Sequence, residues 1–240
     1  MLPFFQPMYE SDVMSEVTGG LLRPGGFVLT KRLIELCNLD PGDMVLDIGS
    51  GSGATVQYLL DARSVYAIGI DTSLNLLKQG IAHDFRLPLT CANGRSLPIS
   101  NRRVDAVITE CSLSAFSNIE ETLAEFRRVL RPKGRLAFSD LFARNPEGTL
   151  AARSLSLSCG LDCVMTKDEL LSRLQSHGFE VTVWEDHSYA LKHLIGQMIF
   201  KHGSINEFWK KSVTNANPLE VQASASKMKL GYYLLTAQKV

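Results

Sequence analysis

Residues 45–53, VLDIGSGSG, constrain the fold of this 240-residue chain more than any other stretch. A continuous apolar run ends on an acid, Asp47, and glycines follow at 49, 51 and 53 before the helical pattern ATVQYLLDA. The apolar run reads as a buried strand, the glycines as a tight turn that lets a ligand touch backbone, and the whole as strand, turn and helix. VYAIGID at 65–71 is a second continuous apolar run, of the kind that parallel sheets bury on both faces. Together they form a βαβ unit.

The alternation continues along the chain. FVLTKRLIELCNL reads as a helix stopped by Pro41-Gly42, SLNLLKQGIAHDF as a helix, and LPLTCAN as a short strand ending in a polar loop. RVDAVITE is a buried strand before the helix NIEETLAEFRRVL, and residues 131–134 turn the chain into RLAFSDLF. An insertion then precedes the helix TKDELLSRLQSHGF, with Thr166 and Glu169 as its capping box, and the strand EVTVWED. Residues 188–212 read as helical in two pieces, and LGYYLLTAQKV is the closing strand. The expected fold class is α/β: a doubly wound, mostly parallel seven-stranded sheet with a helical insertion before the last strand. One domain over 1–240 is expected, with an N-terminal lid and helix (1–40), a ligand-binding core (41–142) and a substrate-side cap (143–240). In such sheets ligands sit beyond the carboxyl ends of the strands, so the loops after Asp47, Asp71, Asn93 and Glu110 should converge.

Composition narrows the function. Lys and Arg total 25, as do Asp and Glu, so no broad positive field favours a nucleic-acid partner. The start of the chain has no basic region followed by a sustained apolar run, and no segment approaches membrane-spanning length. A cytoplasmic protein without a membrane partner is expected. The 5 cysteines are an odd, scattered set and read as thiols.

Asp47 and Asp71 carry the chemistry. Gly49, Gly51 and Ala54 fit the loose form of a dinucleotide fingerprint, with Asp71 about twenty residues on. The charge of Asp47 argues against it, because a carboxylate at the strand end faces a pyrophosphate at short range. S-adenosylmethionine instead brings an ammonium and a sulfonium and has no phosphate. Its carboxylate can use the N-terminus of the helix after Gly53, and Asp71 can accept both hydroxyls of its ribose.

The segments DPGDMVLDIGSGSG, AIGID, ANGRSLPISNRRVDAVITE and LRPKGRLAFSD, within about residues 40–142, resemble in order the motifs of class I S-adenosylmethionine-dependent methyltransferases. The resemblance implies S-adenosylmethionine as cofactor, with Asp47, Gly49, Ser50 and Gly51 at the methionine half and Asp71 and Thr72 at the ribose. It further implies Asn93, Gly94 and Arg95 at the adenine, and Glu110, Cys111 and Ser112 bordering the methyl group. Two positions depart from the pattern: Asn93 stands where many members carry Asp for the adenine amine, and Ser50 where Cys or Ala is common. An Asn oxygen still accepts that N–H. The likeness is strongest to the branch with small-molecule acceptors, which includes ubiquinone, menaquinone and arsenite methyltransferases. Sequences flanking the core resemble a narrower bacterial group of uncharacterised methyltransferases.

The N-terminal segment is expected to fold over the sulfonium and exclude water, with Tyr9, Arg23 and Gly26 as contacts. Candidate proton acceptors are His187, Asp186 and Asp140, each expected after a sheet strand on the ligand side, and Cys111 is the candidate beside the methyl donor. Cys111, Cys159 and Cys163 together offer a second reading, three thiols for trivalent arsenic. The histidines lack helical zinc-ligand spacing, so no metal site is expected. A cofactor-binding module without catalysis stands as the alternative from another class. The oligomeric state is left open.

Overall fold

A computed structural model describes residues 8–10, 13, 17–18, 21, 23–116, 118–153, 161–212 and 217–240. Strands β1 (Met44–Ile48), β2 (Tyr66–Asp71), β3 (Leu89–Cys91), β4 (Val104–Glu110), β5 (Leu130–Ala143), β6 (Phe179–Asp186) and β7 (Leu230–Lys239) form one sheet in the order β3-β2-β1-β4-β5-β7-β6. β1 to β5 pair in parallel, and β7 inserts antiparallel between β5 and β6. This is the seven-stranded, doubly wound α/β sheet expected from the pattern. The order reverses at β1, where β2 and β4 flank it, and there the loops at the strand ends splay apart to make room for a ligand.

Helices cover both faces. α1 (Gly26–Cys37) and α2 (Ala54–Ala62) bury Leu33, Ile34, Val56 and Leu59 on one face, against Val45, Ala106 and Ile108 of the central strands. α4 (Ile119–Val129) and α6 (Lys167–Ser176) bury Leu123, Phe126, Leu170 and Leu174 on the other, against Leu46, Val107 and Phe138. Burying each such side chain contributes about 1.5–3 kcal/mol, and the near-continuous burial along β1 and β4 explains their largely apolar sequences. The strand ends are thus fixed rigidly where the ligand-facing loops begin.

α3 (Leu74–His83) starts at Ser73, whose Oγ accepts the Leu76 N–H at 3.2 Å. α6 carries the expected capping box of Thr166 and Glu169. Residues 131–134 do turn the chain, but inside a strand. β4 pairs with β5 through Val104 and Leu130 and then through Ala106 and Arg135, so 131–134 bulge out with Lys133 at φ 62°.

Two helices were not anticipated. α5 (Pro146–Arg153) and α9 (Pro218–Met228) pack together under the C-terminal half, beside α7 (Ser188–His202) and α8 (Ile205–Ser212). α9 had a readable start, Asn217 capping Leu219 with Pro218 in the first turn. No helix among the described residues is long and apolar enough to cross a membrane.

Candidate cofactor and acceptor cavity

A cavity of about 370 Å³ opens at the carboxyl ends of β1, β2 and β4. Its floor is the turn after β1. Gly49 and Gly51 stand at φ 77° and 55°, left-handed backbone that favours glycine, and a Cβ on Gly49 would collide with the Ser112 side chain. Ser50 lines the same floor, and its Oγ is buried without a hydrogen-bond partner among the described residues. α2 begins at Gly53 with no side-chain cap, so the N–H groups of its first turn remain available at the cavity wall formed by Ala54. A buried unpartnered hydroxyl, glycine backbone and an uncapped helix start together fit a polar ligand laid along the turn.

Asp71 forms the second wall. Its Oδ2 accepts the Gly51 N–H and its Oδ1 the Ser73 N–H, both at 2.8 Å, which fixes the carboxylate plane and leaves further lone pairs for a ligand. Thr72 lines the cavity next to it. Asn93, Gly94 and Arg95 close the far end. There the Asn93 Oδ1 accepts the Arg95 N–H at 3.0 Å, and the Arg95 guanidinium pairs with Glu121 at 3.3 Å.

Glu110, Cys111 and Ser112 line the end nearest β4. Glu110 is buried, yet well partnered: Thr55 donates to its Oε1 and Thr30 to its Oε2, each at 2.8 Å, and Arg23 approaches Oε2 at 3.3 Å. Arg23 also donates to Thr30 and Thr55, so this network ties the N-terminal segment, α1, α2 and β4 into one corner. Arg23 lines the cavity too. Cys111 adopts φ 51°, uncommon for a residue with a Cβ, and its N–H donates to the Ser139 carbonyl at 2.7 Å. Its sulfur lies 3.3 Å from the Tyr232 hydroxyl, which in turn donates to Ser139 Oγ at 3.0 Å. Burial and the nearby Asp140 push the Cys111 thiol well above its ordinary range, so it stays protonated.

Three expected site residues lie elsewhere. Asp47 does not line the cavity; it sits in the core behind the turn, 3% exposed. Burial, and then the Glu110 charge, push its carboxyl up to about 8, so it is mostly protonated near neutrality. Sequence placed it at the strand end, but the strand's pleat and the chain's bend at Gly49 decide where it points. Asp140 is absent from this cavity as well. It is buried and holds the Leu113–Ala115 turn, accepting the Ser114 N–H at 2.9 Å, Ser114 Oγ at 2.8 Å and the Leu141 N–H at 2.6 Å. His187 also lies outside, its Nε2 2.9 Å from Glu185, which Arg32 grips in turn.

Of the lid contacts, Tyr9 and Arg23 line the cavity and Gly26 does not; Gly26 opens α1. Cys163 borders a separate small crevice with Asp140, and Cys159 lies outside the described residues. No metal-holding cluster of three His, Cys, Asp or Glu occurs among the described residues. Sequence reading had not singled out Glu10, Leu21, Gln79 or Phe116, which also line the cavity. Glu10 had no local signal, because its partners lie more than sixty residues away.

Residues 46–138 match the methyltransferase-domain family. The chain is 34% identical over 110 residues to a demethylmenaquinone methyltransferase of Corynebacterium urealyticum, a match covering 46% of each chain. It is 29% identical over 225 residues to the 27-O-demethylrifamycin SV methyltransferase of Amycolatopsis mediterranei, covering 88% of this chain and 82% of that one. The fold aligns with that of the [4+2]-cyclase SpnF at TM-score 0.77 and 23% identity, over 97% of this chain and 93% of the other. With its sheet order, its glycine turn and the match over residues 46–138, the chain is similar to the class I S-adenosylmethionine-dependent methyltransferases. The first of these matches spans under half of its relative's length.

Proposed function

We propose that the chain transfers the methyl group of S-adenosylmethionine to a small organic acceptor that carries no phosphate. One observation supports both halves of this reading. The charged side chains lining the cavity are three carboxylates, Glu10, Asp71 and Glu110, and two arginines, and each arginine already faces a carboxylate, Arg23 at Glu110 and Arg95 at Glu121. Such a cavity favours a ligand of net positive charge, as S-adenosylmethionine is, and disfavours the doubly negative pyrophosphate of a dinucleotide.

In this reading the carboxylate of the methionine moiety sits at the start of α2 with Gly49, Ser50 and Gly51 beneath it, Asp47 lies mostly protonated behind the turn, and the Glu110 carboxylate favours the ammonium and sulfonium. Asp71 accepts the ribose hydroxyls, Thr72 borders them, and Asn93, Gly94 and Arg95 flank the base. Glu110, Cys111 and Ser112 border the methyl group, opposite Leu21 and Phe116. The cofactor supplies an activated methyl for in-line displacement by the acceptor. The chain's own part is to align the acceptor and exclude water.

Among the described residues the methyl end holds no uncommitted base, since Glu110 already accepts from Thr30 and Thr55 and pairs with Arg23. The Cys111 thiol is held protonated by its surroundings, and Asp140 and His187 are committed to other partners outside the cavity. The acceptor therefore brings its own nucleophilicity, as an amine, thiol, enolate or acidic hydroxyl does. Calorimetric titration with S-adenosylhomocysteine and with NADH tests the cofactor: micromolar binding of the first alone supports the reading, and binding of NADH alone overturns it. The acceptor class is tested by pairs of hydroxylated or amine compounds with and without a phosphate group. Turnover confined to the phosphorylated member of each pair overturns that half.

A further inference from the structure

The Met8–Glu10 turn borders the cavity. Tyr9 and Glu10 both line the cavity, and the Tyr9 phenol is pushed above its ordinary range by burial, then by the neighbouring Asp71 and Glu10 carboxylates. Glu10 reaches the first turn of α3. Its Oε1 accepts the Ser73 hydroxyl at 2.6 Å and its Oε2 the Asn75 side-chain amide at 3.0 Å. The positive end of the α3 dipole favours a carboxylate there, and two donors aimed at one anion are stronger than neutral pairs.

Ser73 is the joint of this arrangement. Its N–H donates to Asp71 Oδ1, its hydroxyl donates to Glu10, and the same oxygen accepts the Leu76 N–H that starts α3. Asp71, the proposed acceptor of the ribose hydroxyls, is therefore one hydrogen-bonded step from the anchor of the lid. A lid acid so close to Asp71 would be repelled if nothing offset it, and the Ser73 hydroxyl and Asn75 amide at the start of α3 do so.

We propose that Glu10 is a positioning residue, latching the Met8–Glu10 turn onto Ser73 and Asn75 so that Tyr9 covers the cofactor, and that this latch sets the rate at which S-adenosylhomocysteine leaves. The inference rests on the cofactor reading proposed above. Lifting the turn off α3 breaks the Glu10 contacts to Ser73 and Asn75, whereas a ligand entering an open cavity meets no such barrier. The latch therefore acts on release more than on association.

The test is the dissociation rate of S-adenosylhomocysteine, followed by stopped-flow displacement on the full chain, with amide hydrogen exchange of residues 8–10 as a second readout. Glu10→Ala removes the anchor, and Asn75→Asp sets a like charge against it. Each is expected to speed release about tenfold, the worth of roughly one net charge-assisted hydrogen bond, with the association rate changed less than about threefold. Glu10→Gln combined with Asn75→Asp restores a donor and acceptor in reversed sense, and is expected to bring release back to within about threefold of the wild type. Release unchanged in both single variants, or no recovery in the combined variant, overturns the latch alone. A folded wild-type chain that binds no S-adenosylhomocysteine overturns the cofactor reading and the latch together.

Discussion

Asp47 and Asp71 end adjacent parallel strands, yet the fold gives them opposite environments. Asp71 is half-buried at the cavity wall, held by two N–H donors, whereas Asp47 is fully buried and no hydrogen bond reaches its carboxylate from the described residues. Asp71→Ala should weaken S-adenosylhomocysteine by at least about thirtyfold by calorimetry, since two hydroxyls lose a charged acceptor. For Asp47 the sign is reversed. Its folded value near 8 lies above its ordinary 3.8, so between these pH values the folded state holds a proton that the unfolded chain has released. Its contribution to stability is present below about pH 4, falls as pH rises through that window, and is gone above 8. Asp47→Asn should therefore flatten the decline in melting temperature between pH 5 and 8. At pH 8 it should raise the midpoint by a few degrees, for about 1–3 kcal/mol of relieved burial. An unchanged pH slope in the variant would show that Asp47 stays ionised.

At the scale of elements, the loop after β4 is shaped by side chains from other strands. Asp140 on β5 holds the Leu113–Ala115 turn, and Ser139 and Tyr232 hold Cys111 in its left-handed conformation. The sequence offered Asp140 as a proton acceptor because it lies late in a strand; the structure spends all its acceptor capacity on backbone and Ser114. Asp140→Ala leaves the part-buried Ser114 and Leu141 N–H groups without this partner and should cost about 1–3 kcal/mol in urea unfolding. The Arg23 corner behaves likewise. Arg23→Met strands the buried Glu110 carboxylate and should cost about 3–5 kcal/mol, measured by the same unfolding curve. A loss under about 1 kcal/mol would mean that Thr30 and Thr55 suffice for Glu110.

For the molecule as a whole, the formal charge is zero while the cavity carries an excess of acid. S-adenosylmethionine has one net positive charge and S-adenosylhomocysteine none. Raising salt from about 0.05 to 0.5 M should therefore weaken the first by roughly threefold and the second by less than twofold, because screening acts on the net charge. Equal salt dependence would show that the cavity field is already neutralised. Saturation by S-adenosylhomocysteine at about 100 times its Kd should add roughly 2.7 kcal/mol of stability, a rise of about 5–10 °C in Tm by calorimetry.

The sequence by itself determined the sheet and where its ligand-facing loops begin. Predominantly apolar runs over 45–48, 65–70 and 104–109 are satisfied by burial on both faces, and the glycines after Ile48 can follow only a strand that ends there. Gly49, Ser50, Gly51, Asp71, Thr72, Asn93 and the residues after β4 reach one cavity because parallel strands in register deliver their ends to one edge. Tertiary structure alone decided which acid faces the cavity. Strand pairing fixes the Asp47 carboxyl inside the core, Asp140 goes to Ser114 in the turn after β4, and His187 goes to Glu185, which Arg32 of α1 holds. It also decided that Glu10 meets Ser73 and Asn75. That contact joins segments more than sixty residues apart, and no local periodicity encodes it.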